Sequence, residues 1–177
     1  PLRCKYCHNP DTWTQENALL YDTDQIVEEA LRYKGYFATG GGVTVTGGEP
    51  LMQLDFIIEL FKKFHEKKIH TACDTSGIIF DRSDKALMAK FDELIKYVDL
   101  FLLDIKHINN EEHIKLTGKP NTNILDFARY LSENNKKMWI RHVLVPGITL
   151  NDEYLKQTRA FIDTLNTVEK IEVLPYH

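Results

Sequence analysis

Early in the chain the sequence reads Val43-Thr44-Val45-Thr46-Gly47-Gly48-Glu49-Pro50. Four β-branched residues that run into two glycines and a proline are typical of a short strand ending in a tight loop. Four more strand-like runs start near residues 69, 100, 139 and 171. One helical segment precedes the five runs, at about 23–34, and four separate them, at 53–67, 83–96, 122–134 and 151–165. Strands that alternate with helices in this way predict βαβ units and one parallel sheet.

The helical segments carry their apolar residues on one side and follow ordinary capping rules. Residues 83–96 place Leu87, Phe91 and Leu94 on one face. Ser83 is the expected N-cap, because a serine hydroxyl accepts a hydrogen bond from a free backbone N–H of the first turn. No repeat, low-complexity segment or linker interrupts the pattern, so we predict a single α/β domain over residues 1–177.

Length and composition are those of one globular domain with its own core. The chain has 177 residues, 43% of them hydrophobic and 27% charged. Its net charge of -4 argues against a nucleic acid or an anionic membrane recognised by bulk charge. No apolar run approaches the roughly 20 residues of a membrane span, and no signal peptide is visible. We therefore expect a cytoplasmic protein with no nucleic-acid or membrane partner.

Polar and glycine residues follow the strands where they end, and the fourth strand carries an arginine in an apolar context. The residues concerned are Gly47, Gly48, Glu49, Asp74, Thr75, Asp104, Lys106, Arg141 and His177. Because the carboxyl ends of parallel strands meet at one rim, we expect these side chains to converge in space. Contact of a strand end with solvent explains each polar residue by itself, but it does not explain why all five strands carry such residues.

Cys4-Lys5-Tyr6-Cys7 allows three interpretations from its spacing alone. The first interpretation is half of a zinc site, but no second cysteine or histidine pair follows at zinc spacing. The second is a thioredoxin-like redox pair, but Asn9-Pro10-Asp11 indicates a loop where that motif opens a helix. The third is part of an iron–sulfur site, whose cysteines cluster in one loop. The third cysteine, Cys73, is expected to be a core residue, as a buried free cysteine usually is.

Taken together, the motifs resemble those of the radical SAM superfamily and, within it, the pyruvate formate-lyase-activating enzymes. The resemblance covers essentially the whole chain. It is carried by Cys4-Lys5-Tyr6-Cys7-His8-Asn9, Asp11-Thr12-Trp13, Gly40-Gly41-Gly42-Val43-Thr44, Thr46-Gly47-Gly48-Glu49, His70-Thr71, Asp74-Thr75-Ser76-Gly77, Leu103-Asp104-Ile105-Lys106, Trp139-Ile140-Arg141, Val145-Pro146-Gly147 and Leu174-Pro175-Tyr176-His177.

The superfamily motif is C-x3-C-x2-C with an aromatic residue before the last cysteine. Cys4, Tyr6 and Cys7 match its second cysteine, its aromatic residue and its third cysteine. The first would lie immediately before Pro1, and both chain ends look cut, so we expect a fragment of a longer protein. The resemblance implies a [4Fe–4S] cluster on three thiolates. It also implies S-adenosylmethionine, whose reductive cleavage gives a 5′-deoxyadenosyl radical that takes a hydrogen atom from a backbone glycine of a partner enzyme.

The resemblance also implies roles for single residues. Gly47, Gly48 and Glu49 match positions at the ammonium group of the cofactor. Lys106 and Arg141 match positions near its carboxylate and ribose, with Asp104 close to them. Tyr6 and His177 match positions at its adenosine. Asp74, Thr75, Asp104 and the carbonyl of Leu102 match a site for Na⁺, K⁺ or Mg²⁺, since hard oxygen ligands suit such cations. A simple Asp104–Lys106 pair is the alternative there. His8, Asp11 and Trp13 match the surface that receives the partner's glycyl loop, and His107 and His113 are expected to be ordinary helix or loop residues.

The implied partners are pyruvate formate-lyase and a flavodoxin-like or ferredoxin-like electron donor, with the activating enzyme a monomer. Only about 35 cysteine-free residues separate Cys7 from the first strand, which favours this type over activating enzymes with a ferredoxin-like insertion. The implied architecture is a partial, open, TIM-like (β/α)6 barrel that lacks its first strand, with a doubly wound sheet as the alternative. The alternatives for function are a different glycyl radical enzyme as partner, or a metal-free α/β domain if the residue before Pro1 is not cysteine.

Overall fold

The computed structural model describes residues 2–7, 9–14, 18–37 and 40–176. Its strands are β1 Gly42–Val45, β2 His70–Thr75, β3 Leu100–Asp104, β4 Met138–Leu144 and β5 Val168–Pro175. Its α-helices are α1 Thr23–Leu31, α2 Leu54–Glu66, α3 Lys85–Leu94, α4 Asn110–Thr117, α5 Thr122–Glu133 and α6 Asp152–Ile162. Short 3₁₀-helices lie at Pro10–Trp13, Lys34–Phe37 and Pro50–Gln53.

The five strands form one sheet in which neighbours follow the order of the chain, from β1 to β5. Every pairing is parallel. A doubly wound sheet would reverse its strand order at a switch point, and the order shows no reversal in the part of the chain that is described. The sheet is therefore the wall of an open barrel, as the resemblance implies, rather than the doubly wound alternative.

Alternation along the strands separates a helix-covered face from an inner face. In β3, Phe101 and Leu103 are fully buried, whereas Leu102 and Asp104 are only partly buried. In β4, Ile140 is fully buried while Arg141 is not. Because successive side chains of a strand point to opposite faces, Asp104 and Arg141 share the inner face of the wall.

Aromatic side chains fill the space between the sheet and the helices α3 and α5. Phe80 lies with its ring centroid 5.0 Å from that of Phe91 and 5.2 Å from that of Phe127. Phe101 meets Phe127 edge-on at 5.6 Å. Cys73 is fully buried in the same core, which confirms its expected packing role.

One local prediction about helices was wrong, and one helix was missed. The N-cap of α3 is Asp84, whose carboxylate accepts hydrogen bonds from Ala86 and Leu87, while the hydroxyl of Ser83 donates to Asp81. The helix α4 was not predicted at all. Its signals were present in Asn109, which caps its start, and in Gly118, which ends it at φ +80°. A helix of eight residues with mostly polar exposed positions gives only a weak periodic signal, so its caps were the better guide.

Three histidines are buried, and two of them, His107 in the loop after β3 and His113 in α4, occupy the loop and helix positions expected of them. His107, His113 and His142 are 1%, 0% and 5% exposed. Nδ1 of His113 donates to the carbonyl of Lys119 at 2.6 Å, and Nδ1 of His142 donates to that of Ile105 at 2.7 Å. Burial lowers the pKa of all three imidazoles.

Among the described residues, no helix combines the length and the apolar character that crossing a bilayer requires.

Replacing Gly77 tests the junction between the end of β2 and the aromatic core. A Cβ at Gly77 would overlap the ring of Phe127, and the residue has φ +69°. We expect Gly77→Ala to lower the free energy of unfolding by about 2–4 kcal/mol, from left-handed strain plus overpacking. The matched control is Gly118→Ala, which has a similar φ but open space around the Cβ, and should cost only about 1 kcal/mol. Equal losses in chemical denaturation would contradict the packing explanation.

The buried histidines predict a loss of stability in mild acid. Their lowered pKa means that the unfolded chain binds protons which the folded chain excludes, so stability falls as pH drops below about 6.5. Each such histidine contributes a slope approaching about 1.4 kcal/mol per pH unit. His113→Asn and His142→Asn keep a donor at the Nδ1 position but cannot titrate. We expect each to flatten the dependence measured by urea unfolding between pH 7.5 and 5, with exposed His65→Asn as control. A pH dependence unchanged in the double variant would refute this origin.

Candidate active site

The carboxyl edge of the sheet surrounds a cavity of about 480 Å³. Twelve of the predicted site residues line it. They are Cys4, Tyr6, Cys7, Trp13, Gly47, Gly48, Glu49, Asp74, Thr75, Asp104, Lys106 and Arg141. The convergence that the strand ends predict is therefore present in the structure.

The remaining predicted residues lie apart from the cavity wall or outside the described residues. Asp11 is exposed on the 3₁₀-helix Pro10–Trp13. Leu102 lies on the same face of β3 as Asp104 but one alternation earlier, and it does not line the cavity. His8 and His177 fall outside the residues that the structure describes.

An ion pair crosses the inner face of the wall between β2 and β4. The guanidinium of Arg141 donates to the carboxylate of Asp74, which also accepts a hydrogen bond from the hydroxyl of Thr46 at 3.2 Å. Nε of Arg141 lies 3.7 Å from the carboxylate of Glu172 on β5 and has no hydrogen-bond partner among the described residues. Burial and the neighbouring Asp104 carboxylate raise the pKa of Asp74, and Arg141 opposes them. One N–H donor of Arg141 is thus buried with an ion-pair neighbour but without a hydrogen bond.

A second ion pair joins Asp104 and Lys106 at the end of β3. Nζ of Lys106 donates to Asp104 at 2.7 Å, and both side chains are less than one fifth exposed. Burial disfavours the charge on Lys106, but the charge of Asp104 and the hydrogen bond to it outweigh burial and raise the pKa of Lys106. Nζ also lies 6.0 Å from the ring centroid of Tyr6. Lys106 therefore remains a cation at the floor of the cavity.

The predicted cation ligands are close to one another but already engaged. Asp74 pairs with Arg141, Asp104 pairs with Lys106, and the hydroxyl of Thr75 donates to Glu49. Within the described ranges, no group of three or more His, Cys, Asp or Glu side chains is arranged to hold a metal ion. The cation site stays a prediction, and a bound cation would have to displace Arg141 or Lys106.

Glu49 is 9% exposed, and its carboxylate is turned towards the end of β2. One oxygen accepts from the backbone N–H of Leu51 at 3.2 Å and from the hydroxyl of Thr75. The other accepts from the N–H of Ser76 at 3.0 Å and from its hydroxyl. These four bonds fill the carboxylate's acceptor positions. In this arrangement Glu49 joins the loop after β1 to the loop after β2, and its pairing with an ammonium group stays a prediction.

Ser76 is the functional-site residue that sequence reasoning left without a role. It was quoted as part of Asp74-Thr75-Ser76-Gly77, yet its hydroxyl and its N–H both hold Glu49. Serine after a strand end is ordinary loop chemistry. Only the pairing of β1 with β2 shows which carboxylate it meets.

The two cysteines of the loop stand at the cavity beside Lys106. The N–H of Cys7 donates to the carbonyl of Cys4 at 3.0 Å, which closes a turn between them. Cys4 is buried and Cys7 is partly exposed. Burial raises the pKa of the Cys4 thiol, and the positive charge of Lys106 opposes this. Both thiols are free, as a metal-binding role requires.

Comparison with known proteins agrees with this arrangement. Residues 1–162 match the family model of the radical SAM superfamily. A pyruvate formate-lyase-activating enzyme of Staphylococcus epidermidis is 56% identical over 99% of this chain and 70% of its own length. A crystal structure of a domain of the Bacteroides vulgatus pyruvate-formate lyase-activating enzyme is 31% identical, with a TM-score of 0.69, and the match covers 78% of this chain and 82% of that one.

A more distant structure shares the fold alone. Streptococcus suis SuiB, solved with S-adenosylmethionine bound, matches 99% of this chain with 36% of its own, at a TM-score of 0.74 and 20% identity. The family model and the Staphylococcus relative each span most of this chain. The chain therefore belongs to the radical SAM superfamily and, within it, to the pyruvate formate-lyase-activating enzymes.

Proposed function

We propose that this protein activates pyruvate formate-lyase by radical chemistry that removes a hydrogen atom from one of its backbone glycines. The observation that carries the proposal is the cavity that Cys4 and Cys7 share with Gly47-Gly48 and two buried ion pairs. The close relative from Staphylococcus epidermidis bears the name of this activity. A different glycyl radical enzyme as partner remains the alternative.

Enzymes of this family use a [4Fe–4S] cluster and S-adenosylmethionine, and the donor set of the cavity fits both. Soft thiolates are the ligands that iron–sulfur clusters take, and Cys4 and Cys7 supply two of them on one turn. The third is predicted immediately before Pro1. When bound, the cluster and the cofactor supply the electron and the 5′-deoxyadenosyl radical for the reaction.

The cavity also suits the polar groups of S-adenosylmethionine. A Cβ at Gly47 would meet nothing within 4 Å, so the backbone of this loop lies open to the cavity. Nε of Arg141 and the hydroxyl of Tyr6 are buried and have no hydrogen-bond partner among the described residues. Such donors suit the carboxylate and ribose hydroxyls of the cofactor, while its ammonium group stays assigned to the loop of Gly47, Gly48 and Glu49.

The chain's own residues would orient the ligand and keep water away. Lys106 and Arg141 hold fixed positive charge over the inner face of the wall, and their own carboxylate partners keep them in place. Glu49 fixes the loop that carries Gly47 and Gly48. Trp13 lines the cavity beside Gly48, whose backbone lies against Thr12. This part of the rim is where we place access for the partner's glycine loop, with His8, Asp11 and Trp13 as contacts.

We keep three further predictions as part of the proposal. They are a flavodoxin-like or ferredoxin-like electron donor, a monomeric state, and a cytoplasmic location. The cation site of Asp74, Thr75, Asp104 and Leu102 also belongs to it.

Cysteine replacement tests the proposal directly. In the full-length protein, assembled anaerobically with iron and sulfide, we expect about four irons per chain. Cys4→Ser or Cys7→Ser should remove most of that iron, abolish 5′-deoxyadenosine formation, and abolish the glycyl radical signal of pyruvate formate-lyase in electron paramagnetic resonance. The control is Cys73→Ala, because Cys73 is fully buried in the core. Intact iron content in both loop variants would refute the role of this loop, and a radical signal in another glycyl radical enzyme alone would favour the alternative partner.

Replacing Ser76 tests whether Glu49 holds the glycine loop. Ser76→Ala removes one donor to the buried carboxylate, and a hydrogen bond to a charged group contributes about 1.5–3 kcal/mol. We expect the dissociation constant for S-adenosylmethionine to rise by roughly tenfold or more in equilibrium dialysis, because the loop loses its fixed position. Ser83→Ala, in an exposed loop, is the control and should leave binding unchanged. Unaltered affinity in Ser76→Ala would show that the loop does not depend on this bond.

A further inference from the structure

The cysteine loop rests on the carboxyl end of α4. The N–H of Arg3 donates to the carbonyl of Thr117 and the N–H of Lys5 to that of Leu116, each at 3.0 Å. These two N–H groups flank Cys4 on either side. Residues 3 and 5 thus attach the loop to the helix on either side of Cys4.

These two hydrogen bonds satisfy backbone groups of both the helix and the cysteine loop. The last carbonyls of an α-helix have no partner within the helix. Ile114 gives its carbonyl to the N–H of Gly118, whereas Leu116 and Thr117 give theirs to the cysteine loop. Leu116 and Thr117 are 2% and 1% exposed, so water does not replace the loop N–H groups cheaply. The last turn of α4 and the cysteine loop therefore stabilise each other.

A buried network fixes the shape of that last turn. The hydroxyl of Thr117 donates to the carbonyl of His113 at 2.8 Å. Nδ1 of His113 donates to the carbonyl of Lys119, which lies just past the helix. Both side chains are almost fully buried. Together the two bonds close the chain around Gly118 and set the direction of the carbonyls that receive the cysteine loop.

The start of α4 is capped by Asn109 and tied to the start of α5, where the N–H of Asn121 donates to the side chain of Asn110. The side chain of Asn109 accepts from the N–H of Glu112 and caps the helix. The amide of Asn121 donates to the carbonyls of His107 and Ile108 at 3.0 and 2.7 Å. The helix is thus held at both ends, and Asn121 also ties it to the loop that follows Lys106.

We propose that the last turn of α4 is the platform for the cysteine loop, with His113 and Thr117 as positioning residues for Cys4. This inference rests on the proposed function, because the platform would serve to place Cys4 as a ligand of the cluster. It adds residues that touch neither the cavity nor the cysteine side chains.

The test follows the loop in the full-length protein before any cluster is added. Thr117→Val removes the hydroxyl at nearly constant shape, and His113→Leu removes the Nδ1 donor. We expect amide hydrogen exchange at residues 3–5 and alkylation of Cys4 by N-ethylmaleimide to accelerate by about fivefold or more, the equivalent of roughly one hydrogen bond. His113→Asn keeps the donor and should restore slow alkylation. Lys115→Ala, an exposed position on the same helix, is the matched control.

The outcomes separate the platform from the proposed function. Faster exchange confined to the loop, with β2 to β4 unchanged, supports the platform. Unchanged loop exchange and unchanged Cys4 alkylation in folded Thr117→Val and His113→Leu would overturn it, and so would loosening spread evenly over the sheet. After anaerobic assembly, the same variants should hold less iron per chain than wild type. If the loop loosens but the wild-type full-length protein binds no cluster, the proposed function fails and the platform stands.

Discussion

Five parallel strands in unbroken sequence order are the constraint on which the site depends. Their pairing brings all carboxyl ends to one edge, so that residues far apart in the chain, such as Glu49, Asp104 and Arg141, line one cavity. Strand alternation then selects which side chains face it. Asp104 and Arg141 point inward because Leu103 and Ile140 are needed in the core. The polar inner face is thus a consequence of how the apolar face packs.

Charge on that inner face is compensated within the protein. Charged groups with little solvent access are costly unless they are paired. The cavity pairs Asp74 with Arg141 and Asp104 with Lys106, and it surrounds the carboxylate of Glu49 with four donors. Burial, together with the nearby carboxylate of Asp104, raises the pKa of Asp74 despite its pairing with Arg141, which indicates that the compensation is incomplete there. Two buried donors of residues that line the cavity, Nε of Arg141 and the hydroxyl of Tyr6, have no hydrogen-bond partner among the described residues.

The sheet and the rim were predictable from sequence because each rests on a local pattern. The run from Leu100 to Leu103 is apolar enough to identify a buried strand, and the polar residues directly after it mark its carboxyl end. What sequence reasoning missed depends on contacts between distant segments. Nothing in Ser76 indicates that it binds Glu49, and nothing in the spacing of His113 indicates that it is fully buried. The helix α4 was missed because its apolar stripe is short and its support comes from distant segments, namely the N–H of Asn121, which donates to Asn110, and the cysteine loop.

The two ion pairs also bear on how a zwitterionic ligand enters. The amino acid part of S-adenosylmethionine carries one carboxylate and one ammonium group, and each ion pair offers the complementary charges. Binding would exchange a contact inside the protein, such as Asp104 with Lys106, for contacts of the same kind with the ligand. Since both partners are already largely removed from water, most of their desolvation has occurred in the fold rather than at binding. A ligand with only one of the two charges would leave the opposite member of the separated pair buried and unpaired, which is costly.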